Sequence, residues 1–228
     1  MFKSKIFSVG ALLTILAISI GFRFYHITEP NFVYYDEGMW LNHNRDLVHL
    51  IDQNPPKNLT ETFFIVKTCF KYSLETAKPL WSFLSSLRGL FYGDDGLFFT
   101  RLISAIFGVA SILLVYLFGK RFYESEAVGL LAALSLALLP SHVYYSRIGL
   151  QESISAFLFL SGLYLYIFSR RFHWKSLLAG FVWGLVFFVN YRMAIIPVFI
   201  VFVELYLAWA EKKQIEWRRL VYSILVFL

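Results

Sequence analysis

Residues 31–40 read NFVYYDEGMW and place two adjacent carboxylates, Asp36 and Glu37, among aromatic side chains. Adjacent carboxylates can take a proton from a nucleophile, or share a divalent cation with a third acid. Tyrosine and tryptophan beside them are the residues that favour a membrane–water boundary. Glu152 is a further acid expected on the same side. Three cations, Lys78, Arg147 and Arg192, are expected there too. Arginine offers a planar fork to a phosphate and lysine a point charge. Acids and cations together suit chemistry on a phosphate-bearing lipid at one face of a membrane. Each has a plainer reading. Asp36 can cap a helix, Glu37 can be a first-turn acid beside a helix dipole, and Arg147 and Arg192 can anchor helix ends at headgroups.

The elements that must hold these residues are apolar. Hydrophobic residues make up 58% of the 228-residue chain and charged residues 16%. A soluble domain of that balance would expose large apolar patches, so the chain reads as an integral membrane protein. Apolar runs long enough to cross a bilayer are expected at residues 6–24, 102–118, 127–145, 153–169, 177–190 and 194–210, and a seventh, incomplete, at 220–228. The fold class is therefore an all-α, polytopic transmembrane helix bundle. No small-residue cleavage site follows the first run, which reads as an uncleaved helix.

The net charge is +6, but the basic residues are dispersed between apolar runs, which excludes a nucleic-acid partner. Lys3, Lys5, Lys120, Arg121, Arg170, Arg171, Lys175, Lys212, Lys213, Arg218 and Arg219 fall at one set of helix ends. Only Arg147 and Arg192 fall in the short loops of the other side. By the positive-inside rule the N-terminus is cytoplasmic, and the long loop, residues 25–100, is extracytoplasmic. The expected location is the cell (plasma or inner) membrane. Tyr34, Tyr35, Tyr144, Tyr145 and Tyr191 would form an outer aromatic belt, and Tyr123, Trp174, Trp209 and Trp217 an inner one.

Within the long loop, residues 37–52 and 79–91 have helical apolar spacing and read as amphipathic helices in the membrane interface, the first capped by Asp36, the second opened by Pro79. Residues 61–73 lean towards helix, and residues 54–56 and 93–96 read as turns, with Asp94 and Asp95 as turn residues. The single cysteine, Cys69, reads as packing. Glu204 lies inside a span, where a charge costs about 2.5–3.5 kcal/mol, so it is expected to be protonated or paired within the bundle. Gly180-x-x-x-Gly184 reads as helix packing. No internal repeat is visible, and ionisable residues cluster at one face, both of which weigh against a solute transporter.

In their order, these motifs resemble the N-terminal part of the GT-C membrane glycosyltransferases, in particular the dolichyl-phosphate-mannose protein mannosyltransferase and aminoarabinose transferase group. Tyr35-Asp36-Glu37 is similar to that group's acidic motif on the first extracytoplasmic loop. Lys78-Pro79-Leu80-Trp81 resembles its Lys-Pro-Pro-Leu motif without the second proline. Arg101-Leu102, Gly108 and Gly119-Lys120-Arg121 resemble its second span. Pro140-Ser141-His142, Tyr145-Ser146-Arg147 and Glu152 resemble its third.

The resemblance implies transfer of a sugar from a polyprenyl-phosphate-linked donor to an acceptor hydroxyl on the extracytoplasmic side, with inversion. Asp36 would be the base and Lys78 would contact the donor phosphate. Glu37 and Glu152 would share the catalytic site, with Arg147 and Arg192 as further phosphate ligands. A divalent cation, held by Asp36, Glu37 and Glu152 if by any residues, is left open as a cofactor. The acceptor class (glycolipid, cell-wall polymer or protein) is also open; membrane lipid is the other partner. The chain stops inside an apolar run, whereas complete members are longer. It is therefore expected to be an N-terminal fragment, or else a reduced, non-catalytic homologue that binds a lipid carrier or a partner.

Overall fold

The computed structural model describes residues 2–29, 35–43, 45–76, 78–90, 96–168, 173–210, 212 and 214–227, with the backbone alone at 2–6, 43, 46, 47, 50, 52 and 173. Among the described residues every regular element is helical. The chain divides into two compact units, Met1–Phe157 and Leu158–Leu228.

In the first unit, α1 (Phe2–Phe24), α6 (Gly96–Phe122) and α7 (Glu126–Leu138) pack around Ile15, Ile112, Tyr116, Ala133 and Ala137. Glycines let α6 and α7 approach closely, as small residues do where two apolar helices have no hydrophobic drive to associate. A Cβ on Gly129 would lie 2.8 Å from the Tyr116 carbonyl oxygen. Ser125 starts α7 by accepting the Val128 amide at 3.4 Å.

The run expected as one span at 127–145 is broken. α8 (Pro140–Arg147) leaves the axis of α7 by 59°. Pro140 has no amide to continue the ladder, and it holds Leu139 in an extended conformation, ψ 115. The break frees carbonyls in the last turn of α7, and Arg23 on α1 takes one of them. Its buried guanidinium donates to the Ala137 carbonyl at 3.3 Å, to Ser19 Oγ at 2.8 Å and to His142 Nδ1 at 2.7 Å. A charge that would be costly in hydrocarbon is thus ringed by dipoles. α1 ends where His26 takes a positive φ of 48°.

Between α1 and α6 lie α2 (Tyr35–His43), α3 (Arg45–Gln53), α4 (Leu59–Ser73), α5 (Pro79–Ser86) and a 3₁₀ turn, Leu87–Leu90. The helix expected at 37–52 corresponds to α2 and α3, on either side of residue 44, which lies outside the described residues. So do Tyr34, Phe91, Asp94 and Asp95. Asp36 is not a cap: α2 begins at Tyr35 and Asp36 lies in its first turn. The lean towards helix at 61–73 corresponds to α4, which is opened by a reciprocal cap. Asn58 Oδ1 accepts the Glu61 amide at 2.9 Å, and Glu61 Oε2 accepts the Lys57 amide at 2.7 Å. α5 opens on Pro79, as expected, but ends at Ser86. It buries Trp81, Ser82, Ser85 and Ser86, while Leu80, Phe83 and Leu84 are only half-buried. Three serines thus share the buried face with Trp81, close packing by small residues of the kind seen between helices in lipid.

α9 (Glu152–Ile167) runs from the first unit into the second. The second unit continues with α10 (His173–Val189), a 3₁₀ turn (Tyr191–Ile195), α11 (Ile196–Ala210) and α12 (Trp217–Phe227). Gly180 lies against the Ser223 backbone and Gly184 faces that of Phe227, so the G-x-x-x-G spacing seats α12 on α10. Glu204 is paired within the bundle. It meets Arg219, accepts the Tyr166 hydroxyl at 2.7 Å and the Glu216 amide at 3.0 Å.

Among the described residues three helices are long and apolar enough to cross a membrane, and four if the bent pair counts as one span. The chain is an all-α, multi-pass membrane protein. Tyr35, Tyr144, Tyr145 and Tyr191, expected in an outer belt, and Tyr123, Trp174, Trp209 and Trp217, expected in an inner one, are all exposed.

Candidate functional site

Glu37 is the centre of the first unit's polar architecture. It is fully buried on α2, and its carboxylate is gripped from two distant segments. Arg101 in the second turn of α6 donates from Nε to Oε1 at 2.8 Å and from Nη2 to Oε2 at 2.9 Å. The Gly149 amide, just beyond α8, donates to Oε1 at 2.7 Å. Arg101 Nη1 continues to the Ile27 carbonyl at 3.1 Å, beyond the end of α1. Four segments thus meet on one ion pair. The fork geometry of arginine suits it, since a bidentate carboxylate contact fixes angle as well as distance.

Gly149 has no room for a side chain: a Cβ there would lie 2.9 Å from Glu37 Oε1 and 2.8 Å from Thr100 Cβ. Nearby, Ser104 Oγ donates to the Leu150 carbonyl at 2.9 Å, tying the same turn to α6 a second time.

Asp36 has the opposite environment. It is exposed, and among the described residues it has no hydrogen-bond or ion-pair partner. Its backbone is nevertheless fixed, because its neighbour Glu37 is pinned on the inward face. One turn further along α2, the buried Trp40 carries the Lys78 ammonium over its ring, 5.3 Å from the centroid. Residues four apart on a helix are neighbours, so Asp36 lies one turn before the tryptophan that Lys78 covers. Lys78 stands immediately before Pro79 and is half-buried. Arg88, also buried, donates to the Leu41 carbonyl at 2.6 Å and holds the end of α2 to the turn after α5.

The remaining expected site residues have other surroundings. Arg147 spends its terminal nitrogens on α1, donating to the Phe22 carbonyl at 2.9 Å and the His26 carbonyl at 3.2 Å. That is the work of a helix-end anchor. Glu152 opens α9 and accepts the Gln151 side-chain amide at 2.9 Å. Arg192 belongs to the second unit, exposed on its 3₁₀ turn, with its amide donated to Asn190 Oδ1 at 3.2 Å. Asp36 and Glu37 are thus adjacent on α2, and Lys78 lies over Trp40 of the same helix, with Glu37 as the organiser.

Among the described residues no three His, Cys, Asp or Glu side chains converge as a metal site. A cation held jointly by Asp36, Glu37 and Glu152 does not fit, because both Glu37 oxygens are committed to Arg101 and Gly149. Arg101, Arg23 and Arg88 were not singled out as site residues from sequence. The available signal was an arginine at or inside the end of an apolar run, where an unpaired charge is costly and a partner is required.

A sequence profile described as dolichyl-phosphate-mannose-protein mannosyltransferase matches residues 78–228. No curated protein and no solved structure matches the chain.

Proposed function

The chain belongs to the dolichyl-phosphate-mannose-protein mannosyltransferase family of membrane glycosyltransferases, and on that premise we propose that it serves transfer of a sugar from a polyprenyl-phosphate-linked donor to an acceptor hydroxyl at the extracytoplasmic face of the cell membrane. The acceptor oxygen attacks the anomeric carbon as the bond to the lipid phosphate oxygen breaks, so configuration inverts. Asp36 takes the acceptor's proton, and polyprenyl phosphate leaves with the bonding pair. The Lys78 ammonium lies over Trp40 and meets the phosphate as its charge grows. The N-terminus is cytoplasmic, because the basic helix ends lie on its side.

One observation carries the assignment of the base. Asp36 is exposed and unpartnered among the described residues, while the adjacent Glu37 is buried in a bidentate ion pair. A base must reach substrate, and a carboxylate locked between a guanidinium and an amide cannot. The two acids therefore divide the work, Asp36 in chemistry and Glu37 in holding α2 in place.

The test is sugar transfer from a purified polyprenyl-phosphate donor in detergent, with equal amounts of each variant. Asp36→Asn is expected to lose at least about a hundredfold in rate, within the 10²–10⁴ range for a general base. Its melting temperature should be unchanged, since the side chain is exposed. Near-normal turnover by Asp36→Asn would remove the assignment and pass it to Glu152.

A further inference from the structure

We propose that α4 lies in the plane of the membrane as an interfacial anchor, its apolar stripe among the lipid chains and its lysines on the phosphates of anionic headgroups. Leu59, Phe63, Phe70 and Leu74 are 88%, 71%, 50% and 50% exposed. Successive separations of four, seven and four residues bring them onto one line of the helix surface. Leu74 continues the last turn, its amide bonded to the Phe70 carbonyl at 3.2 Å.

Around the helix the pattern is ordered. Cys69 and Ser73 face the protein and are buried. The apolar stripe comes next, then exposed Lys67 and Lys71 on its shoulder, then exposed Glu61, Thr68 and Glu75 further round. Phe64 departs from this order: 69% exposed, it falls between Lys71 and Glu75 around the helix and walls a shallow groove with Pro56 and Ile65. Apolar, then cationic, then acidic is the sequence of environments that a helix meets from acyl chains through phosphates to water.

The membrane is within reach. α4 belongs to the segment between α1 and α6, both long and apolar enough to cross it, so the chain leaves and re-enters the bilayer around this helix. Trp40, Val48 and Ile51 on α2 and α3 and Trp81 on α5 are buried in the protein. Among the described residues the long exposed stripe of this segment is on α4, and within it Phe70 also meets Phe83 of α5 edge-on.

The test uses the full chain in bilayer nanodiscs of phosphatidylcholine, with and without phosphatidylglycerol. Cys69→Ser supplies a cysteine-free background and keeps a polar atom beside Ser86. Phe63→Cys, Phe70→Cys and Thr68→Cys then each carry one environment-sensitive fluorophore, quenched by nitroxides on lipid acyl chains. Labels at 63 and 70 should be quenched on the order of threefold more than the label at 68, for a helix sunk about 5–10 Å below the headgroups. Equal quenching at the three sites would overturn the proposal. So would labels at 63 and 70 shielded from lipid and aqueous iodide alike, the sign of a protein partner. Lys67→Glu with Lys71→Glu, both on exposed positions, should reduce quenching at 70 only in the discs with phosphatidylglycerol. No change there would overturn the headgroup contact.

Discussion

Removing the charge of Arg101 tests whether the ion pair with Glu37 holds the outer end of the first unit together. In Arg101→Met the Glu37 carboxylate stays fully buried and loses the two Arg101 donors, at 2.8 and 2.9 Å, while the Gly149 amide at 2.7 Å remains. Stranding one member of a buried pair costs about 3–5 kcal/mol. A domain of this size shifts by about 2–4 °C per kcal/mol, so the melting temperature should fall by about 6–20 °C. Replacing both members by apolar residues removes the stranded charge as well as the attraction, and such exchanges are often near neutral. Arg101→Met with Glu37→Met should therefore recover most of the loss, and Glu37→Gln, which can still accept from Gly149, should lie between. The assay is thermal unfolding of purified protein in detergent, followed by circular dichroism and by aggregation. A melting temperature for Arg101→Met within about 2 °C of wild type would refute the reasoning, as would a double variant less stable than either single one.

Gly149→Ala should lower stability by about 1–3 kcal/mol, because its Cβ would press on Thr100 and on Glu37 Oε1; unfolding by denaturant checks it, and an unchanged midpoint would show that the turn can move. Lys78→Ala should weaken use of the lipid donor while leaving expression and melting intact, and Lys78→Arg should restore part of it; a donor KM and kcat both unchanged in Lys78→Ala would take the residue out of the site. Burial raises the Cys69 thiol above its ordinary pKa, so less thiolate is present near neutral pH. Maleimide labelling of the folded protein should be slow at pH 7, rise as pH increases, and reach the rate of a model thiol only on unfolding; fast labelling at pH 7 would contradict the buried position.

What the sequence by itself determined is the set of properties that depend on local composition. Apolar run length marks α1, α6 and the 3₁₀ turn joined to α11 (Tyr191–Ala210) as long enough to cross a membrane. Charge asymmetry at helix ends suggests an orientation, and Pro79 marks the start of α5. The acidic pair and Lys78 were legible as types suited to phosphate-bearing lipid chemistry, because tyrosine and tryptophan set their depth. The difference in environment between Asp36 and Glu37 was not legible. The two residues are adjacent, chemically alike and equally compatible with a helix's first turn. What separates them is Arg101, which is 64 residues away, and the Gly149 amide, which is 112 residues away. Burial of a carboxylate depends on whether a donor arrives from elsewhere, and no local pattern encodes that arrival. The same holds at the end of α7. Pro140 announces a break, but only packing decides that Arg23 from α1 fills it, and hence that an arginine inside an apolar run is tolerated. Long-range partners decide where charge can be buried, and therefore which of two adjacent acids remains exposed.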